Sequence, residues 1–396
     1  MTENGQDGRA DGPADADRAD RAAGADRRRS WWRRRRIALP AAGIAAVLLL
    51  GGGAVVINQV SAAGRNGPTD ASTGATGTPT PSPTPSPTPP PGADIRGPLN
   101  LLLVGVDTRV GVPDWEPHAD AVLIMHITAN LDRAYLFSLP RDLVVDIPAF
   151  PKARFRGDRT KLTHAMSYGS RRPGDQPPSA AQGYQLLSRT VSDYTGIKKF
   201  DGGAVLTFGG LDNLVDSLGG IDLYVDQRVV SQHRQPNGKH RDGNGYGYIG
   251  PQMVYEKGQR RMNGWQALDY ARQRYLTGGD YSRQRHHQQL IKAIVARLIS
   301  QDVTTDPDRL NAVVKAIGKT LVFEGGGQRV IDFAFALSGL TAESITMVAL
   351  PGHSVGSGGS YRGEELGQLG DQFIAAVRKG NVTEFLAANP KLVVPR

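Results

Sequence analysis

Cysteine is absent from all 396 residues, which removes disulfide frameworks, thiol nucleophiles, iron–sulfur clusters and Cys-type zinc sites. A GxxxxGK phosphate loop is also missing, since Gly202-Gly203, Gly209-Gly210 and Gly219-Gly220 fit no such spacing. A triad hydrolase is not expected. Concentrated charge of one sign is lacking too. The net charge of +9 divides into ten Arg against seven Asp/Glu in residues 1–36, Arg65 against Asp70 in 37–91, and 36 basic against 30 acidic residues in 92–396. That describes a mildly basic globule rather than a polycation, and no nucleic-acid partner is expected.

What is present falls into segments. Residues 1–36 carry no apolar run and read as a disordered cytoplasmic tail. Seven arginines crowd into Arg27–Arg36 around Trp31 and Trp32, and Ile37–Ile57 follows without a charge. As a helix that run would be about 31 Å long, enough to span a bilayer. The arginines assign its N-terminal side to the cytoplasm. A cleaved signal peptide, with Val60-Ser61-Ala62 as a loose cleavage site, is the rival reading; the long preamble favours an anchor. Residues 58–93, with the Thr-Pro/Ser-Pro run Thr78–Pro89, read as an extracellular polyproline II spacer.

Residues 94–396 read as one α/β domain with a sheet covered on both faces. Leu99–Val106, Ala121–Thr128 and Ala134–Leu139 are apolar strands, and Leu143–Ile147 is expected to continue the sheet. Helices are expected over Ala180–Thr195, Leu211–Leu218, Asn263–Ala271, Asp280–Ser300, Leu310–Ile317, Arg329–Leu337 and Leu369–Arg378. Ala204–Phe208, Ile221–Val225 and Ile345–Leu350 read as further strands, and 226–262 as a long surface excursion.

Chemistry is expected beyond strand ends. Asp107 closes the first strand and Asp120 opens the next. Two carboxylates so placed can converge on one hard cation, magnesium or manganese, although a lone Asp more often caps a turn. Pro140 ends the third strand and directs Arg141 and Asp142 outward. Arg272 and Arg274 leave a helix end, Gly278-Gly279 bends the chain, and Asp280 is expected to cap the next helix, whose first turns carry Arg283, His287 and Gln288. Arg283 and His287 lie one turn apart on one face. Guanidiniums at a helix N-terminus suit a phosphate or diphosphate; a solvated basic face is the plainer alternative. Adjacent His286 and His287 point about 100° apart and form no metal motif.

Taken in order, LNLLLVGVDTR, HADAVLIMHI, RAYLFSLPRDLVVDIP, KLTHAMSYG, LVDSLGGIDLYV and GQRRMNGWQALDYARQRYLTGGDYSRQRHHQQLI resemble the LytR-CpsA-Psr family, membrane-anchored enzymes that attach glycopolymers to the bacterial wall. The resemblance implies a three-layer α-β-α sandwich with a central mixed sheet and an apolar pocket for a lipid tail. It implies a phosphotransferase, with a polyprenyl-pyrophosphate-linked glycan as donor and a peptidoglycan hydroxyl as acceptor. Asp107 and Asp120 match the magnesium-associated aspartates. Arg109, Arg141, Arg272, Arg274 and Arg283 match the arginines around the pyrophosphate, and Gln288 falls near the family glutamine. Asp107, Asp120 and Arg141 are the expected catalytic residues, and Asp120 and Asp142 the candidate bases. His118, Ala121 and the His286-His287 pair depart from the pattern. A pyrophosphatase and a non-catalytic anionic-polymer or lipid binding module are the alternatives.

Overall fold

The computed structural model describes residues 91–107, 115–174, 176–245, 247–301, 303 and 306–395. The expected tail, the expected membrane helix, most of the spacer and Arg109 lie outside the described residues. Among the described residues no helix is long and apolar enough to cross a membrane.

Apolar residues on both faces of a strand require cover on both sides, and the central sheet is built that way. Its strands are β1 (Leu99–Asp107), β2 (His118–Ile127), β3 (Ala134–Leu139), β4 (Gly202–Thr207), β5 (Leu321–Glu324) and β6 (Ile345–Val348). They lie in the order β5-β4-β1-β2-β3-β6. β1 runs parallel to β4 and β3 parallel to β6, while the other neighbours are antiparallel, so the sheet is mixed.

The helices are α1 (Thr163–Ser170), α2 (Ala180–Thr195), α3 (Phe208–Ser217), α4 (Gly264–Arg272), α5 (Gly279–Ser300), α6 (Pro307–Ile317), α7 (Val330–Ala336), α8 (Gln368–Lys379) and α9 (Val382–Ala388). One face of the sheet, with Leu101, Leu103, Leu123 and Met125, packs on α3 to α7 through Leu214, Tyr270, Ile294, Leu310 and Phe333. The other, with Leu102, Val104, Ile124 and Phe137, packs on α1, α2, α8 and α9 through Met166, Val191, Phe373 and Leu386. Three layers result.

Local signals place several ends. Ser179 accepts from the Gln182 backbone N–H at the start of α2, and Gly196 ends that helix at φ 70°. Asn263 and Gln266 form a capping box on α4. Asp280 is not the cap of α5: Gly278 is, and Asp280 pairs with Arg283 one turn on.

Two expectations need correction. Val144–Ile147 does not extend the central sheet but forms a ribbon with Asp158–Lys161. A turn closed by Leu143 N–H to the Pro140 carbonyl (3.0 Å) redirects the chain after β3. Residues 226–262 are more than a surface excursion: Gly258–Met262 pairs with Ile221–Val225, and Val229 and Tyr255 are buried.

Candidate active site

Strand alternation sends Asp107 to the face of Leu101 and Leu103. Asp120 would by the same rule join Val122 and Ile124 on the opposite face. A β-bulge prevents this. Gly105 pairs with Ala121 but Val106 with Ala119, which leaves Asp120 as the extra residue. Bulges re-aim side chains in this way, and Asp120 and Asp107 line one cavity.

Arg141 enters from the turn after β3. Its carbonyl accepts from Thr163 N–H (2.9 Å), and the neighbouring Asp142 carbonyl accepts from Glu364 N–H (2.8 Å). The guanidinium pairs with Asp120 and stands 3.4 Å from Asp142. Arg272, the last residue of α4, lies over the Phe208 ring at 4.5 Å and 3.6 Å from Asp107. Arg274 follows it, and Arg283 arrives buried on the first turns of α5, paired with Asp280.

Asp107, Asp120, Arg141, Arg272, Arg274 and Arg283 thus line a single cavity of about 170 Å³, with Phe208, His233 and His287. Four guanidiniums against two carboxylates leave two positive charges in the lining. The Nε of Arg283 is buried with no hydrogen-bond partner, and such a donor asks for an anion; the Arg141 Nε, also without a hydrogen bond, already faces Asp142 at 3.4 Å. Burial lowers the Arg283 pKa, opposed by Asp280 and Asp120; an arginine stays charged through such a shift.

Gln288 is not in this lining. It is buried, and its amide donates to Ser138 Oγ and the Val348 carbonyl, each at 3.1 Å. One position earlier on α5, His287 does face the cavity. Burial first, then Arg283 and His286, push its pKa down to about 3, so this histidine is neutral and adds no cation. His286 is stacked on Tyr270 (4.2 Å between centroids) and bonded to Asp226 at 3.3 Å.

Phe208, Arg272 and His287 also belong to a second, adjoining slot of about 70 Å³ whose other walls are apolar: Leu103, Gly105, Ala121, Ala204, Leu206 and Leu290 among them. A cationic cavity and a greasy slot therefore share a wall.

Sequence reasoning missed His233, because nothing in the aperiodic stretch 226–262 marks it; only the ribbons of that stretch carry it to the cavity. The run Gly352-His353-Ser354-Val355-Gly356 spells GxSxG. It lies on a hairpin strand paired with Gly363–Leu366, not at a strand-to-helix elbow, and Ser354 Oγ donates to Glu364 at 2.9 Å.

The LytR_cpsA_psr family model matches residues 67–372, over three quarters of the chain. The chain belongs to the LytR-CpsA-Psr family. Among curated members of similar sequence, the Enterococcus faecalis polyisoprenyl-teichoic acid–peptidoglycan teichoic acid transferase TagU is 27% identical, over 60% of this chain and 67% of its own length. The Corynebacterium glutamicum cell wall biosynthesis protein LcpA is 23% identical over 67% of this chain and 52% of its own. Biofilm regulatory protein A of Streptococcus mutans is 25% identical over 57% and 49%. The matches thus span about half to two thirds of these relatives. In fold, the chain resembles a Streptococcus agalactiae protein of known structure (TM-score 0.56, 22% identity, 72% of this chain and 87% of the other). It also resembles Bacillus subtilis TagV (TM-score 0.51, 17% identity, 72% and 98%).

Proposed function

We propose that this protein is a phosphotransferase of cell-wall assembly, moving a glycopolymer from a polyprenyl-diphosphate carrier to a hydroxyl of peptidoglycan. The observation that carries the reading is the shared wall between the arginine-lined cavity and the apolar slot. A lipid diphosphate has the same two-part character: a dianionic or trianionic head on a hydrocarbon chain. The slot admits the first part of that chain and the cavity the head. TagU is named for such a transfer, which agrees with the reading.

Asp107 and Asp120 fit magnesium. They offer two hard carboxylates on one sheet face, and Mg²⁺ usually takes one or two carboxylates and completes its shell with water and substrate phosphate. Bound there, the ion would supply further charge neutralisation on the diphosphate. The chain's own contribution is the guanidinium set. Arg283 brings a buried donor without a hydrogen-bond partner, Arg141 is held by Asp120 and Asp142, and Arg272 is held over the Phe208 ring, so the cations need no rearrangement as charge develops on the leaving phosphate. In the same reading, 37–57 anchors the protein by a single span, with the tail in the cytoplasm and the catalytic domain outside.

Full-length protein supplied with a synthetic polyprenyl-diphosphate glycan, peptidoglycan and Mg²⁺ should release polyprenyl phosphate and leave glycan covalently on peptidoglycan. Release of the lipid phosphate with all glycan left in solution would assign a pyrophosphatase instead. Tight binding without release would assign a non-catalytic module.

A further inference from the structure

Transfer to a hydroxyl needs a group to take its proton, and the carboxylates are poorly placed for it. Asp120 is engaged by Arg141. Asp142 is outside the cavity lining and is held by Arg141, by Lys161 at 3.6 Å and by the Tyr361 hydroxyl at 3.3 Å. His287 sits on the wall shared with the apolar slot, and burial and Arg283 hold its pKa far down, which makes it a weak base.

His233 differs on each count. It lines the polar cavity and not the slot, so it is on the side away from the lipid. Its backbone is fixed by a buried knot: the N–H groups of His233 and Arg234 donate to Ser231 Oγ at 3.1 and 2.9 Å. Ser231 Oγ in turn donates to Asp269 at 2.9 Å, and Asp269 also accepts from Tyr255 (2.8 Å) and Gln273 (2.9 Å). The Tyr248 ring meets the imidazole edge-on at 5.2 Å. Nδ1 is closed off from solvent without a partner, which leaves Nε2 as the ring nitrogen a substrate can reach.

We propose that His233 is a catalytic residue of this site, the base that removes the proton of the acceptor hydroxyl. The assignment rests on the lipid-diphosphate reading above. In the step, the hydroxyl proton passes to His233 Nε2 as the hydroxyl oxygen bonds to the phosphorus that carries the glycan. The bond from that phosphorus to the bridging oxygen breaks, and the bridging oxygen keeps the electron pair and leaves as polyprenyl phosphate among the arginines. The imidazolium returns its proton to water once the products depart. Burial lowers the His233 pKa, followed by Arg272, with His240 and Arg274 in the same direction and Asp269 opposing. The ring is therefore unprotonated at neutral pH, as a base must be. Asp107, Asp120, Arg141 and Arg283 are the other charged groups lining the cavity.

The test compares full-length wild type with His233→Gln and His233→Gly, using the synthetic donor and a soluble peptidoglycan fragment as acceptor. His233→Gln should lower kcat about 10²- to 10⁴-fold, the usual range of a general-base contribution, with the donor dissociation constant and melting temperature unchanged. The wild-type rate should fall at acid pH along a limb that His233→Gln lacks, and added imidazole should restore part of the His233→Gly rate. Wild-type kcat and an unchanged acid limb in His233→Gln would overturn the base assignment while leaving transfer intact. A wild type that makes no product would strike the transfer reading itself, and the base with it.

Discussion

The two faces of the central sheet are built from the same strands yet end differently. Toward α1, α2, α8 and α9 the strands present Leu102, Val104, Val122, Ile124 and Phe137, and Phe373 closes on Phe137 edge-on at 5.1 Å. Toward α3 to α7, the strands line the slot with the small residues Gly105, Ala121 and Ala204 set among Leu103, Leu123 and Leu206. Small residues at those three positions, rather than smaller residues along the whole face, leave this face less completely filled. The open face is also the one to which the bulge at Asp120 turns its carboxylate.

The contrast can be broken at either face. The largest effect belongs to the polar end: Arg141→Ala should lower transfer about 10²–10³-fold and leave the thermal midpoint near wild type, measured by product release and by calorimetry. On the solid face the reverse holds. Phe373→Ala should cost about 3–5 kcal/mol of stability, read from urea midpoints, with kcat of the folded protein unchanged. Filling the open face sharpens the comparison. Ala204→Leu should weaken donor binding about tenfold, roughly 1.4 kcal/mol, without loss of stability. The smallest effect is a pH dependence at the base of the loop that carries His233. Burial acts to raise the Asp226 pKa, but hydrogen bonds from His286 and Arg285 outweigh it and hold the carboxyl well below its ordinary value. A depressed carboxylate contributes stability that is complete above its unfolded pKa and lost as pH falls through the folded one. Wild type should therefore lose stability below about pH 4 more steeply than Asp226→Asn, in urea melts taken across that range.

Much of the fold was legible because its signals are local. The apolar runs of β1 to β3, the stop at Gly196 and the box at Asn263 each act within a few residues, and α2 and the Ile221–Val225 strand fall at the expected bounds. What stayed hidden depends on partners far along the chain. β5 is a four-residue edge strand defined only by its pairing with β4, α1 is a short helix of modest amphipathicity, and Val144–Ile147 carries a valid strand pattern that cannot say which strand it joins. In the site, Asp107, Arg141, Arg272, Arg274 and Arg283 could be read from strand and helix ends. The reason Asp120 reaches them could not, since a bulge is a relation between two strands. Gln288 and His287 differ by one step on a helix, about 100° of rotation, and sequence alone left that step unresolved.

The central claim is that the cationic cavity and the apolar slot hold the two halves of one ligand. Titration calorimetry of a short prenyl diphosphate into wild type, Arg274→Ala and Ala204→Leu addresses it without needing the acceptor. Both substitutions should weaken binding, the first through the head and the second through the chain, while inorganic diphosphate should lose affinity only for Arg274→Ala. Prenyl diphosphate binding that is indifferent to Ala204→Leu would separate the slot from the site and contradict the account.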